Sequence, residues 1–196
     1  MQGDDPFDRL LERRMAFLRG PLDDATANWL AAELMTLDAT GDGEITLLVN
    51  SDGGPVESLF AVSDTMALLR SPVATTCLGH AAGTAAVVVA LGTATRRAAA
   101  NARLTLRSPH SAGEPGTAGD LRRQAELTAD RRRQLALLVA GATGRSVETA
   151  AHALDHGAYL SPEEAITKGV VDEIVRAGAP ARGTGVLGAS TPSEPA

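Results

Sequence analysis

A single cysteine in 196 residues leaves no partner for an intrachain disulfide and no basis for a thiol-built metal cluster. Cys77 lies in the apolar run Val73-Ala74-Thr75-Thr76-Cys77-Leu78, so a buried thiol in a reducing compartment is expected. Aromatic residues are 3% of the chain and the formal net charge is -6, which supplies neither stacking platforms nor a basic field for nucleic acid. No uninterrupted apolar stretch reaches membrane-spanning length, and Met1-Gln2-Gly3-Asp4-Asp5-Pro6-Phe7 lacks the basic flank and apolar core of a signal peptide. The expectation is a soluble cytoplasmic protein that binds neither nucleic acid nor membrane and needs no cofactor or metal.

Apolar residues make up 44% of the chain, enough for one sizeable core and one domain. After a short amphipathic start, Phe7 to Arg14, the run Met15-Ala16-Phe17-Leu18 reads as a strand ending at Gly20-Pro21. Asp23 is placed to cap a helix whose Ala27, Leu30, Ala31 and Leu34 share one face. Ile45-Thr46-Leu47-Leu48-Val49 reads as a strand covered on both faces, Glu57 to Leu69 as a helix, and the run around Cys77 as a further strand. Strands alternating with helices argue for an α/β fold of repeated βαβ units with parallel strands. Ala81 to Leu91 is apolar all round and reads as a helix buried at the centre.

Two short strands are expected at Ala94 to Ala98 and Arg103 to Leu106, followed by loop chemistry from Ser111 to Gly116. A long helix from Asp120 to about Ala140 places Leu135, Leu138 and Val139 on one side. Its Arg131-Arg132-Arg133 run is expected to face water or a partner chain. Ser146 can cap a helix running through Leu154, Ser161-Pro162 starts another, and Val170 to Val175 reads as the closing strand. Beyond Arg176 the chain turns to Gly, Ala, Pro, Ser and Thr, so 177–196 is expected to be a disordered tail on a single domain spanning 1–176.

Three segments can be taken together: Asn50-Ser51-Asp52-Gly53-Gly54-Pro55-Val56, Gly79-His80-Ala81-Ala82-Gly83-Thr84-Ala85 and Tyr159-Leu160-Ser161-Pro162-Glu163-Glu164-Ala165. They resemble the Asn-Ser-Pro-Gly-Gly turn, the Gly-x-Ala-Ala-Ser-Met-Gly nucleophile turn and the Phe-(Met or Leu)-Ser-x-x-Glu-Ala stretch of the ClpP family, the proteolytic subunit of the Clp protease. Leu10 to Arg14, Gly20 to Asp24, Asp64 to Met66 and Gly169 to Asp172 match in order, so the resemblance spans about Leu10 to Arg176. It implies a ClpP/crotonase-type fold with a protruding strand-helix handle, here about 111–140. It also implies assembly into stacked heptameric rings, a tetradecamer enclosing a chamber fed by a Clp ATPase.

Serine peptidase chemistry needs a hydroxyl nucleophile, an imidazole base and a carboxylate that orients the imidazole. By the resemblance, Gly83 stands at the serine, Arg107 at the histidine and Gly157 at the aspartate. Glycine offers no nucleophile, and arginine stays protonated at neutral pH. The same resemblance makes the backbone amides of Gly54 and Thr84 the oxyanion-hole candidates. It also puts the pair Asp155 and His156 where the family organises its ring, so pH-dependent assembly is expected. Thr46 and Leu48 replace tyrosines of the family's ATPase-docking pocket, and the N-terminal segment is short for axial loops, which argues against direct docking.

The leading expectation is therefore a pseudoprotease: a non-catalytic ring subunit or regulator, in homo- or hetero-oligomeric rings with an active ClpP paralogue. One alternative is a crotonase-type acyl-thioester enzyme that uses the paired amides. Another is a serine endopeptidase with a site rebuilt from Thr84 or Ser108 and one of His80, His110 and His156.

Overall fold

The computed structural model describes residues 5–108 and 116–176. Helix α1 (Pro6–Glu12) begins with Asp5 accepting the Phe7 amide and with proline at its first position, where no N–H is needed. Arg14 then adopts φ 58° to turn the chain into strand β1 (Met15–Pro21). That conformation is unfavourable for an L-residue, and the guanidinium holds it by donating to Leu37 O at 2.7 Å and Gly43 O at 2.7 Å. Asp23 caps α2 (Asp24–Thr40) as its position suggested, accepting the Thr26 amide at 2.8 Å, and Ala27, Leu30, Leu34 and Leu37 are buried along the helix.

Strand β2 (Ile45–Gly53), helix α3 (Val56–Leu68) and strand β3 (Val73–Ala82) complete the first crossover units. Helix α4 (Thr84–Ala90) is buried at every residue. The order continues with β4 (Arg96–Ala99), β5 (Arg103–Leu106), α5 (Ala118–Thr143), α6 (Val147–His156), β6 (Ala158–Leu160), α7 (Pro162–Thr167) and β7 (Glu173–Val175). Ser146 and Ser161 cap α6 and α7 through the Thr149 and Glu164 amides.

The expected α/β architecture is present as a seven-stranded sheet ordered β1-β2-β3-β4-β7, with β5 beside β3 and β6 beside β5. All pairings are parallel except β5 with β6. β3 serves two neighbours in turn: Thr75 to Cys77 pair with β4, and His80 to Ala82 pair with β5. Gly79 makes the bend between them at φ 68°, where a Cβ would sit 3.1 Å from Asn50 Oδ1.

Several boundaries differ from the sequence reading, and one strand is additional. The apolar segment from Ala81 enters the helix only at Thr84, because Ala81 and Ala82 still belong to β3. The closing strand starts at Glu173, not Val170, and β6 was not foreseen at all. The expected loop over 111–115 and the expected tail over 177–196 lie outside the described residues. Cys77 is fully buried, and burial pushes its thiol up to about 12. Among the described residues, no helix is long and apolar enough to cross a membrane.

Candidate functional site

The site begins where β3 turns into α4. Gly83 takes φ 56° and ψ -122°, a conformation that costs an L-residue roughly 1–3 kcal/mol, and its amide donates to Thr105 O at 2.8 Å. Such a sharp strand-to-helix turn lifts one residue clear of the sheet. The residue lifted here is a glycine. A Cβ built on it meets nothing nearer than Arg107 O at 3.7 Å, so the space for a side chain is open and only the backbone disfavours one. Gly83 faces a cleft of about 700 Å³.

The opposite lip is the turn after β2. A Cβ at Gly53 would fall 2.4 Å from Ala82 O, and one at Gly54 would fall 2.0 Å from Leu22 O. Both glycines are thus demanded by close backbone approach. The Gly54 amide donates to Thr84 Oγ1 at 2.7 Å, and the Thr84 hydroxyl lies 3.1 Å from Gly54 O, to which it donates in return. The structure therefore brings Gly54 and Thr84 together, with the Gly54 donor engaged by a hydroxyl inside the fold. The Thr84 amide, first in α4, has no acceptor within its helix.

Arg107 directly follows β5 and Gly157 directly precedes β6, so both adjoin the end of the antiparallel β5–β6 pairing. Its register runs from Leu104↔Leu160 to Leu106↔Ala158. Gly157 has φ 72°, and Arg107 reaches the cleft beside Gly83. Among the described residues, Arg107 has no hydrogen bond or ion pair. Ser108 is buried, with its amide donating to Leu154 O at 2.8 Å.

The described histidines lie elsewhere. His80 Nε2 sits 2.9 Å from Asp52 Oδ1 at the rim. His156 stacks on His152 with ring centroids 4.1 Å apart, its Nδ1 3.0 Å from His152 O, and Asp155 is exposed beside it on α6. His110 is outside the described residues. Among those described, no imidazole contacts the hydroxyl of Thr84 or Ser108.

The outer wall of the cleft is α5, which sequence periodicity did not assign to the site. Arg131 Nε pairs with Glu57 Oε1 at 2.6 Å, and Arg132 and Leu135 also line the cleft. Two residues of the basic run expected to face water or a partner chain thus stand, still exposed, over the site. The available signal was the helical spacing of Thr128, Arg132 and Leu135, which places them on one face.

A family model described as Clp protease matches residues 1–178. The chain belongs to the Clp protease family. The ATP-dependent Clp protease proteolytic subunit 2 of Corynebacterium jeikeium is 40% identical over 171 residues, covering 86% of this chain and 82% of its own. Subunit 1 of Thermobifida fusca is 38% identical over 172 residues, covering 87% and 78%. Subunit 3 of Nocardia farcinica is 38% identical over 172 residues, covering 86% and 78%. This is a ClpP-like protein, and the β3–α4 turn, the Gly53-Gly54 lip and the β5–β6 pair are the parts of a ClpP-like fold that surround its cleft.

Proposed function

We propose that this chain is a cytoplasmic ClpP-like ring subunit without peptidase chemistry of its own, which assembles with a triad-bearing ClpP subunit and alters the composition or gating of the shared chamber. The observation that carries the reading is Gly83: the residue at the strand-to-helix turn lining the cleft has no side chain to attack a carbonyl. Arg107 supports it, because a permanently protonated guanidinium takes no proton from a nucleophile. The Thr84 hydroxyl supports it again, since a Gly54 amide engaged at 2.7 Å is withheld from a developing oxyanion. That same contact weighs against an acyl-thioester enzyme dependent on both amides, and the placement of His80 and His156 weighs against a rebuilt triad.

The test has two arms. The purified chain is treated with a serine-directed fluorophosphonate and with fluorogenic peptides; neither labelling nor turnover above a blank is expected. Native mass spectrometry after pull-down from the source cell then measures ring composition, and mixed rings containing a triad-bearing subunit are expected. Labelling of the chain itself, or rings of this chain alone, would overturn the proposal.

A further inference from the structure

The cleft has a charge of its own. In a chain with formal net charge -6, Arg107, Arg131 and Arg132 converge on one depression that also holds the carboxylates of Asp52 and Glu57. Both carboxylates are engaged: Glu57 by Arg131 at 2.6 Å, and Asp52 by His80 at 2.9 Å. Among the described residues, Arg107 and Arg132 have no anionic partner, although they flank the same opening from two separate elements. Arg107 comes from the end of β5 and Arg132 from α5. Gly83, where an added Cβ would meet nothing nearer than Arg107 O at 3.7 Å, lines the same cleft, with Pro55, Val56 and Leu135 as apolar walls.

A guanidinium is planar and presents parallel N–H donors that match a carboxylate bidentately. Two of them facing an apolar-walled groove make a receptor for an extended segment that carries one carboxylate. The depression, about 700 Å³, is of a size that takes a few residues and not a folded domain. We infer that the cleft binds a peptide carboxylate, with Arg107 and Arg132 as its anchors. The inference rests on the proposed lack of hydrolysis, because only then does the ligand persist in the groove. It assigns Arg107 a positive role, as the group that converts a position of peptide chemistry into one of peptide retention.

Fluorescence anisotropy tests this on the full chain, using an N-terminally fluorescein-labelled hexapeptide of alanine and leucine with a free C-terminal carboxylate. Saturable binding is expected, weakening with added salt. Amidation of the C-terminus should weaken it about tenfold, as should Arg107→Ala or Arg132→Ala, each with an unchanged melting temperature. Arg133→Ala, outside the cleft lining, should leave it unchanged. An amidated peptide with one internal glutamate identifies the source: recovery of tight binding assigns the anchors to side-chain carboxylates, and no recovery assigns them to chain ends. Equal binding of the free acid and the glutamate-free amide, or no binding of any peptide, would overturn the inference. Mass spectrometry of the recovered peptide separates the two readings, because cleavage contradicts the proposed function whereas an intact, unbound peptide contradicts only the carboxylate site.

Discussion

At the residue scale, the hydroxyl of Thr84 is the smallest group with a large consequence. It satisfies both the N–H and the C=O of Gly54 from a position that is 1% exposed, closing the gap between the two lips of the cleft. Thr84→Val keeps the shape and removes the hydrogen bonds, leaving two backbone groups of a close-packed turn without partners. A loss of about 1–3 kcal/mol in chemical denaturation is expected, with Thr84→Ser retaining most of the stability. That Gly83 and Gly157 carry no side chain and that Arg107 carries a permanent cation was legible in the sequence, whereas their standing as triad positions belongs to the proposed function. The Thr84 bond to Gly54 was not legible, since it depends on two turns that meet only after β2 and β3 pair. Nor was the placement of Arg131 and Arg132, because a helix pattern shows which residues share a face and not what that face lies against.

At the scale of elements, local chemistry and the parallel crossover order were readable, whereas the contacts between distant chain ends were not. Asp23, Ser146 and Ser161 cap their helices as their positions suggested. Strand β6 has only three residues and exists because β5 offers it a partner, which no local propensity reveals. The same holds for Arg96, whose role comes from the ends of distant elements. Its guanidinium donates to Asp172 Oδ1 at 2.5 Å, to Ala142 O at 2.7 Å and to Gly169 O at 2.8 Å. It thereby joins β4 to the end of α5 and to the turn after α7. Arg96→Ala should cost about 2–4 kcal/mol, because it orphans carbonyls as well as the carboxylate, and Arg96→Lys should recover little of it. The hydrogen bonds from Arg96 hold the Asp172 carboxyl below the usual carboxylate range. A folded-state value below the unfolded one means that this contribution is present above the unfolded value and is lost as pH falls through the folded one. Thermal melts of Asp172→Asn and the parent chain should therefore differ at pH 7 and converge towards pH 2–3; a constant gap across that window would contradict the assignment.

At the scale of the whole molecule, one element lacks enough of a partner among the described residues. From Ala118 to Gln134, nearly five turns, α5 has no buried residue, and packing into the core begins only at Leu135. The Thr117–Asp120 capping box secures its first turn, and Leu121 and Leu127 stand half exposed along the stretch between. A helix of this length gains little stability from propensity alone and depends on burying an apolar surface. Among the described residues, attachment at one end leaves that requirement unmet. The same stretch approaches the cleft at Thr128 and Arg131, so whatever covers α5 also borders the candidate site. Under the proposed ring assembly, α5 of another subunit is the surface that would cover these leucines. Replacing Leu121 and Leu127 together by aspartate should shift the sedimentation coefficient to that of a smaller species at equal protein concentration while leaving the core unfolding transition intact. An unchanged sedimentation profile would mean that α5 is not the surface through which subunits join.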